Sequence, residues 1–497
     1  MSSRHTIALL NDSFPPVIDG VANAVVNYGR CIERNHGHAI VVTPEVPGSD
    51  DSMYEFPVVR YPSIDTRKLM GYVTGYPFSP EAAYRLREEH TELLHIHCPM
   101  MSALLARQLH ESMDLPLVLT WHTKYDIDIA NAIKSKLLQE SAIQALIKNV
   151  NACNEIWTVS RGAGENLKSL GYEGDYIVMP NGVDLPHEPV SQDLIDEVTS
   201  GYDLPHNVPC YLFIGRLMWY KGLRIILDAL ADLDSHGHDF RMVFVGAGGD
   251  EAEVRAYAKK LGLGRKVFFT GAISGRDRLR AWYSRADLFL FPSTFDTNGL
   301  VVREAAASDT ASVIIKGSCA SEGVTDGRNG FLIEENAGSL ASLLGELSSD
   351  TERMKTVGAA AGSELYISWE DAVANAYERY EAVIDRYKSG FYKTRLPYDY
   401  DFFRAQGELM EALGEVDAAR KSIVRGAESF RNDVDRAARS FRNKALTDII
   451  SAGYETRQEL ESRKNAAVSN IEDGLENIRD EVRGGIDSLW ERLDRYL

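Results

Sequence analysis

The chain has 497 residues, 44% of them hydrophobic and 26% charged, which is typical of a soluble globular protein with room for roughly three domains. A formal net charge of −19 at pH 7 argues against wholesale nucleic-acid binding. No apolar run approaches the ~20 residues that span a bilayer, and no signal-peptide pattern opens the chain. We therefore expect a cytoplasmic protein that touches a membrane only at its surface.

Strand and helix patterns alternate through the first part of the chain. Apolar strands are predicted at His5–Leu10, His38–Thr43, Glu92–His97, Leu117–Trp121 and Glu155–Val159, with helical spacing at Val21–Arg34, Met100–His110 and Arg161–Leu170. This alternation predicts a doubly wound parallel sheet, in which ligands bind at the carboxyl ends of the strands.

Several residues of this part bear on function. Gly20 precedes the first predicted helix, where a glycine either lets the backbone approach a ligand or closes a tight turn. His122 follows a strand, so it either stabilises charge in a site or is satisfied in the core. His95 and His97 share one strand face, but no third ligand lies nearby, so we do not expect them to hold a metal.

A second alternating series follows a stretch, Asp184–Pro209, that we interpret as a linker. Its strands are predicted at Cys210–Gly215, Met242–Val245, Val267–Thr270, Leu288–Phe291 and Ser312–Ile315, with an amphipathic helix at Leu223–Leu233. The pattern predicts two similar α/β halves with a cleft between them.

Two cations, Arg216 and Lys221, lie between the first strand and first helix of this second half. They would clamp a diphosphate, the guanidinium as a fork and the ammonium as a point charge, or else be solvated surface charges. Gly246 begins a glycine-rich turn after the next strand, which by itself is a weak sign of a phosphate loop.

The stretch Ser293–Ala305 carries two acids, Asp296 and Glu304, separated by seven residues. Asp296 lies in the loop after an apolar strand, and Glu304 lies about one turn inside the predicted helix. A helix start offers free N–H groups to phosphate, and an acid there can accept hydrogen bonds from sugar hydroxyls. The alternative is an ordinary strand-to-helix turn with a capping acid.

In combination, these motifs resemble the family 4 retaining glycosyltransferases of the GT-B fold, over about residues 5–388. The resemblance lies in the Pro16–Val21 loop, Trp121-His122-Thr123, Pro180–Asp184, Gly215-Arg216 with Lys221-Gly222, and the two spaced acids. It implies two Rossmann-like doubly wound domains that face a cleft. It also implies transfer of a hexose from a nucleotide sugar, such as a UDP- or GDP-hexose, with no metal and no other cofactor.

The resemblance also implies a role for each motif residue. Arg216 and Lys221 would hold the donor diphosphate, Asp296 the transferred sugar and Glu304 the ribose hydroxyls. His122 would lie by the reaction centre. The remaining donor-binding positions are Gly20, Gly246 and the amides around Gly299 and Leu300.

The sequence departs from the family in two places. Asp296 stands where the family usually has glutamate, and Asp309-Thr310-Ala311 stands where it usually has a Gly-x-Pro turn. Asp296-Thr297-Asn298-Gly299 is similar to the form seen in lipid-glucosylating members, so the expected acceptor is a membrane lipid or a glycan. Two other functions stay open: a non-catalytic sugar-nucleotide-binding scaffold acting through its tail, and a sugar-nucleotide epimerase.

The predicted domains are residues 1–190 on the acceptor side, 205–368 for the nucleotide sugar, a crossover helix 369–388 back to the first domain, and a helical extension 400–497. Apolar residues at heptad spacing run from Val468 to Tyr496, and a second stripe near Phe430 carries several arginines. This extension is expected to self-associate or pack on the enzyme, with docking on a membrane surface as the alternative.

Overall fold

The computed structural model describes residues 4–17, 19–66, 73–296 and 298–392, together with residues 403, 404, 406–411, 413, 414, 417, 418 and 421. These residues form two compact units. The first contains those within Met1–Pro77, Thr91–His110 and Asp114–Pro397, and the second those within Phe78–His90, Glu111–Met113 and Tyr398–Leu497.

A seven-stranded parallel sheet organises the first half of the large unit. Its strands are β1 (Thr6–Leu10), β2 (His38–Pro44), β3 (Val58–Tyr61), β6 (Leu93–Ile96), β7 (Leu117–Trp121), β8 (Glu155–Thr158) and β9 (Ile177–Val178). The order across the sheet is β3-β2-β1-β6-β7-β8-β9. Two short strands, β4 (Ser63–Ile64) and β5 (Thr74–Gly75), form a separate antiparallel pair. Most residues of the central strands are buried, as expected when helices cover both faces of a sheet.

A six-stranded parallel sheet organises the second half. Its strands are β10 (Cys210–Ile214), β11 (Arg241–Val245), β12 (Val267–Gly271), β13 (Leu288–Phe291), β14 (Ser312–Ile315) and β15 (Phe331–Ile333). They lie in the order β12-β11-β10-β13-β14-β15, which is the 3-2-1-4-5-6 order of a dinucleotide-binding fold. The first sheet shows the same order over its first six strands, so both halves are Rossmann-like and the predicted fold class is confirmed.

The helices of the first half follow its strands. They are α1 (Gly20–Asn35), α3 (Met101–Met113), α4 (Tyr125–Ala132), α5 (Lys136–Asn151) and α6 (Arg161–Ser169), whereas α2 (Pro80–Glu88) and the last three residues of α3 belong to the small unit. Asp19 begins α1 by accepting hydrogen bonds from the N–H groups of Val21 and Ala22, at 2.8 and 2.7 Å. Ser160 begins α6 in the same way, through the N–H of Ala163 at 3.0 Å.

The interpretation of Asp184–Pro209 as a linker is wrong, because the segment contains the helix α7 (Gln192–Thr199). Ile195 and Val198 are buried in the core of the second half, so this segment is part of that domain's packing. The other helices of the second half are α8 (Leu223–Ser235), α9 (Glu251–Lys260), α10 (Arg276–Arg285), α11 (Leu300–Ala306), α12 (Ala337–Leu347) and α13 (Thr351–Leu365).

The last helix of the large unit, α14 (Trp369–Lys388), packs into the core of the first half. Trp369, Tyr377 and Tyr380 are buried there together with residues of β1, β2 and α1. Ser368 begins the helix by accepting a hydrogen bond from the N–H of Asp371 at 3.0 Å. The predicted domain boundaries themselves stay predictions.

In the small unit, α2 contacts the described residues of the C-terminal extension. The N–H of Ser79 donates to the sulfur of Met410 at 3.1 Å, and Arg87 pairs with Glu411. Lys421 forms an ion pair with Glu81 at 3.0 Å. The extension is helical at its described positions. The heptad seam from Val468 and the stripe near Phe430 lie outside the described residues, so their self-association and membrane docking stay predictions.

Candidate active site

The candidate site lies at the point where the strand order of the second sheet reverses. Strands β10 and β13 are neighbours, and Tyr211 pairs with Leu288 across them. The chain continues from β10 toward β11 on one side and from β13 toward β14 on the other. The loops after β10 and β13 therefore leave in opposite directions, which opens a crevice at their carboxyl ends.

Close backbone packing joins these two loops. Lys221 ends a short 3₁₀ turn, Trp219–Lys221, after β10, and Gly222 follows in the left-handed region with φ 78°. A Cβ at position 222 would lie 1.9 Å from the carbonyl oxygen of Pro292, just after β13. Only glycine allows this approach, which explains the Lys-Gly pair.

The approach brings two predicted site residues together. The ammonium of Lys221 lies 2.5 Å from one carboxylate oxygen of Asp296, and the hydroxyl of Ser293 donates to the other at 2.7 Å. The side chains of Lys221 and Asp296 are 10% and 24% exposed, so the pair is largely buried at the end of the two strands. The Lys221 ammonium also lies within 6 Å of the ring centres of Tyr220, Phe291 and Phe295.

Arg216, after the same strand β10, is exposed and forms no ion pair with the part of the chain that the structure describes. It is therefore available to an anionic ligand at the strand end. Gly246 follows β11 with φ 135°, and a Cβ there would lie 2.0 Å from the carbonyl oxygen of Gly215. Its role in this structure is to let two strand-end loops touch next to Arg216.

The helix α11 begins beside this pair. Gly299 precedes it with φ 57°, and a Cβ there would lie 2.8 Å from Ala320. The buried side-chain amide of Asn298 has no hydrogen-bond partner within the described residues. Leu300 is the first residue of the helix, so its N–H group and that of Gly299 lie at the helix start, as predicted.

Glu304 lies inside α11 and is held by a residue of another helix. The hydroxyl of Tyr283, on α10, donates to the Glu304 carboxylate at 3.0 Å. Burial is the main cause that raises the pKa of Glu304 above its ordinary value, and the nearby charge of Asp184 acts in the same direction. Thr310 in turn donates to the carbonyl oxygen of Tyr283 at 2.8 Å, so the divergent Asp309-Thr310 turn supports this side of the site.

His122 lies at the end of β7 in the first half and is buried, with 6% of its surface exposed. Its Nε2 lies 3.0 Å from Nδ1 of His97. Burial lowers the pKa of His122 to about 3, so its ring is neutral at physiological pH. His95 is satisfied in the core, between the hydroxyls of Tyr380 and Thr120 at 2.6 and 2.7 Å.

Electrostatics link the two halves of the site. Cys319, which follows β14, has its pKa raised by burial, and both Lys124 and Asp296 also affect it. Lys124 comes two residues after His122, so the His122 loop and Asp296 are within electrostatic range of one thiol. Gly20, the first residue of α1, is exposed, and a Cβ there would meet no atom within 4 Å. Nothing at Gly20 thus requires glycine in the absence of a ligand.

The described residues contain no group of three or more His, Cys, Asp or Glu side chains arranged to hold a metal. Asp126, the first acid of the Asp126-Ile127-Asp128 sequence that follows His122, accepts a hydrogen bond from Asn166 at 3.2 Å. In the same part of the chain, no helix is long and apolar enough to cross a bilayer.

Sequence reasoning did not find the residues that hold the predicted ones. Ser293 is the one partner that is near in sequence, since it lies three residues before Asp296 in the same loop. Tyr283 gives no local signal, since it is 21 residues from Glu304. The contact of His97 with His122 joins residues 25 positions apart that follow two different strands, so no local pattern indicates it.

The fold and site define a GT-B glycosyltransferase, and comparison with known proteins agrees. Residues 18–186 match the model of Glycosyltransferase Family 4, and residues 196–363 match that of Glycosyl transferases group 1. The D-inositol 3-phosphate glycosyltransferase of Xylanimonas cellulosilytica is 30% identical over 56% of this chain and 68% of its own length. The chain therefore belongs to the GT-B glycosyltransferase family that these two models and this relative represent, and it transfers sugar from a nucleotide sugar.

Two further comparisons extend this result. The alpha-monoglucosyldiacylglycerol synthase of Streptococcus pneumoniae is 22% identical over 61% of this chain and 69% of its own. A crystal structure of Anabaena HepE in complex with UDP superimposes with a TM-score of 0.61, at 18% identity, over 76% of this chain and all of that one. The structural match shows the fold alone. Neither the scaffold nor the epimerase alternative is favoured.

Proposed function

We propose that the protein is a retaining hexosyltransferase that moves a hexose from a UDP- or GDP-hexose to a hydroxyl of a membrane lipid, without a metal ion. The observation that carries this proposal is the Lys221–Asp296 pair at the reversal point of the second sheet. The cation would stabilise the negative charge on the leaving phosphate, and the carboxylate would face the positive character that develops on the sugar.

The charges account for each step of the reaction. When the bond between the sugar C1 and the phosphate oxygen breaks, negative charge develops on the diphosphate and positive character on the sugar. Arg216, Lys221 and the amides of Gly299 and Leu300 would stabilise the leaving group. Because these cations and amides are available at the strand ends, no divalent ion is needed in that role.

Sharing of Lys221 between the diphosphate and Asp296 would position the carboxylate. As phosphate oxygens approach the ammonium, Asp296 keeps its bond from Ser293 and can turn its other oxygen toward the sugar. Glu304, held by Tyr283, would accept the ribose hydroxyls, and His122 would orient the sugar as a neutral ring. Retention follows if the acceptor oxygen attacks C1 on the face that the diphosphate leaves, and a phosphate oxygen takes the acceptor proton.

The acceptor proposal rests on the names of relatives. The Streptococcus pneumoniae relative and one from Acholeplasma laidlawii, 23% identical over 66% of this chain, are both named for the synthesis of monoglucosyldiacylglycerol. An acceptor embedded in a bilayer requires the enzyme to work at a membrane surface. We therefore propose peripheral association with the membrane.

The test is an assay of the full chain with UDP-glucose or GDP-mannose, in the presence and absence of EDTA. One arm offers vesicles that contain diacylglycerol, and the other offers inositol 3-phosphate in solution. An α-linked glycolipid formed equally with EDTA supports the proposal. A β-linked product, transfer only to the soluble acceptor, or activity lost in EDTA and restored by magnesium would each contradict the corresponding part.

A further inference from the structure

Two buried histidines that follow neighbouring strands form a pair, and only one of them, His122, has a role in the proposed reaction. His97 follows β6, and His122 follows β7, so both lie at the carboxyl edge of the first sheet. Nδ1 of His97 is 3.0 Å from Nε2 of His122, and the ring centres are 5.2 Å apart with 24° between the ring planes. His97 is fully buried.

A second histidine on the same strand face shows what a purely structural histidine looks like here. His95 is also fully buried, and both of its nitrogens are bonded to hydroxyls of the core. His97 differs, because its Nε2 is buried and has no hydrogen-bond partner within the described residues. Its bonded nitrogen instead contacts the ring of a predicted site residue.

The unpartnered nitrogen selects the direction of the hydrogen bond. Burial lowers the pKa of both rings, so each carries one proton on one nitrogen. If His122 donated, the proton of His97 would sit on Nε2 as a buried N–H group without an acceptor, which proteins rarely tolerate. If His97 donates from Nδ1, the unpartnered Nε2 is a bare lone pair, which costs less. The second arrangement leaves the proton of His122 on Nδ1.

We propose that His97 is a positioning residue for His122: its Nδ1–H donates to Nε2 of His122, fixes the ring's orientation and keeps the His122 proton on Nδ1. The His122 ring then stays in a single tautomer and does not exchange between two. This inference rests on the proposed function for its effect on turnover, but the hydrogen bond and the tautomer do not depend on it.

The competing explanation is packing. His97 makes an edge contact with the ring of Tyr28 at 5.2 Å, so a large side chain at this position also fills the core. Asparagine and glutamine separate the two explanations. The Nδ2 of asparagine is attached to Cγ, as is Nδ1 of histidine, so His97→Asn can place a donor at the same point. His97→Gln carries the same amide one bond farther out, and His97→Leu fills space without a donor.

The first measurement is the tautomer of His122. Long-range ¹H–¹⁵N spectra of histidine-labelled full-length protein distinguish protonated from bare ring nitrogens, and a His122→Gln spectrum assigns the signal among the 12 histidines. We expect Nδ1–H at His122 in the wild type and in His97→Asn, and a mixture of tautomers in His97→Leu. The matched control, His95→Asn, should leave the His122 signal in its wild-type tautomer. Nε2–H at His122 in the wild type would overturn the proposal.

The second measurement is steady-state kinetics with the nucleotide sugar. We expect kcat to fall by about 10–100-fold in His97→Leu and His97→Gln, the scale known for partners that orient metal-bound histidines, with the donor KM little changed. His97→Asn should restore most of the loss. Equal losses in His97→Asn and His97→Leu would show that packing alone matters. If no variant, nor the wild type, transfers sugar, the proposed function fails while the tautomer result still stands.

Discussion

The carboxylate of Glu322 accepts a hydrogen bond from the backbone N–H of Arg161 at 2.7 Å, and this bond joins the two halves of the molecule. Arg161 begins α6, which follows strand β8 of the first sheet, whereas Glu322 follows strand β14 of the second sheet. The other carboxylate oxygen accepts from the N–H of Gly162 at 2.6 Å. Glu322 thus supplies negative charge to the start of a helix in the other domain.

Replacing Glu322 with alanine should loosen the contact between the halves. The variant loses two charge-assisted hydrogen bonds, each worth roughly 1.5–3 kcal/mol before discounting for the solvent exposure of this edge. We expect the amides of residues 161 and 162 to exchange hydrogen about 10-fold faster or more. Glu165→Gln is the control, because Glu165 lies on the same helix and, among the described residues, accepts its side-chain hydrogen bond within its own half, from the hydroxyl of Tyr176 at 2.6 Å. Unchanged exchange in Glu322→Ala would mean that the bond does not hold the halves together.

Removal of each of the two site cations should lower turnover, but only removal of Lys221 should also lower the stability of the protein. Arg216→Ala removes an exposed side chain without an ion pair among the described residues, so we expect turnover to fall by about 10²–10³ at an unchanged melting temperature. Lys221→Ala should lower turnover similarly and also lower the melting temperature, because it leaves Asp296 without its cation. Kinetics and thermal unfolding are compared with Arg224→Ala, whose guanidinium lies over the rings of Trp219 and Tyr257. Near-wild-type turnover in both site variants would exclude the clamp.

Glu304→Gln should stabilise the free enzyme while it weakens donor binding. Burial raises the pKa of Glu304 above the ordinary glutamate value of 4.5, so the folded state holds this proton more tightly than the unfolded state. The free energy of unfolding therefore falls as pH rises from about 4.5, the pKa of Glu304 in the unfolded state, through its higher pKa in the folded state. Glutamine carries no such charge, so the variant should melt higher than wild type at pH 7 to 8, with the difference vanishing below pH 4.5. Melting curves across pH check the gain in stability. Titration with UDP checks the loss of donor binding, for which we expect a dissociation constant about 10-fold higher. A lower melting temperature at pH 8 would contradict this prediction.

The described part of the C-terminal extension should be needed for the order of α2. Glu411 is 4% exposed and pairs with Arg87, whereas Glu408 is 48% exposed and pairs with its neighbour Arg404. We expect Glu411→Gln to speed hydrogen exchange over residues 80–88, and Glu408→Gln to leave it unchanged. A variant ending after Lys421 should keep slow exchange there, while one ending at 392 should lose it. Light scattering of these variants and the full chain tests the predicted self-association of residues beyond 421.

Most strands of the two sheets could be predicted from the sequence, because buried strands of parallel sheets are apolar runs that can be recognised without knowing which strand they pair with. Strands such as Leu117–Trp121 and Leu288–Phe291 were predicted with their observed bounds. Arg216 and Lys221 could be placed at a strand end for the same reason, since position along the chain sets position on the sheet. The ion pair of Lys221 with Asp296 could not be predicted in this way, because it depends on the strand order, which puts β10 beside β13.

The elements that were missed depend on contacts between distant residues. The helix Gln192–Thr199 buries only Ile195, Val198 and Thr199, too little periodicity to stand out in a polar stretch. Its one local signal was Ser191, which accepts a hydrogen bond from Leu194 at the helix start. The strand Phe331–Ile333 has three residues and is set by its pairing with β14. The bond of Tyr283 to Glu304 is a consequence of helix packing, which no local pattern reports.

The return of α14 to the first half has a consequence for synthesis on the ribosome. The core around β1 and β2 is closed by Trp369, Tyr377 and Tyr380, which are among the last residues of the large unit to be made. The second half, with a core built from residues 183–357, is complete in sequence before α14 emerges. The nucleotide-sugar domain can therefore complete its fold first. The domain that was synthesised earlier keeps an exposed apolar face until α14 has been made. Ribosome-bound chains paused before residue 369 are where a chaperone would be needed most.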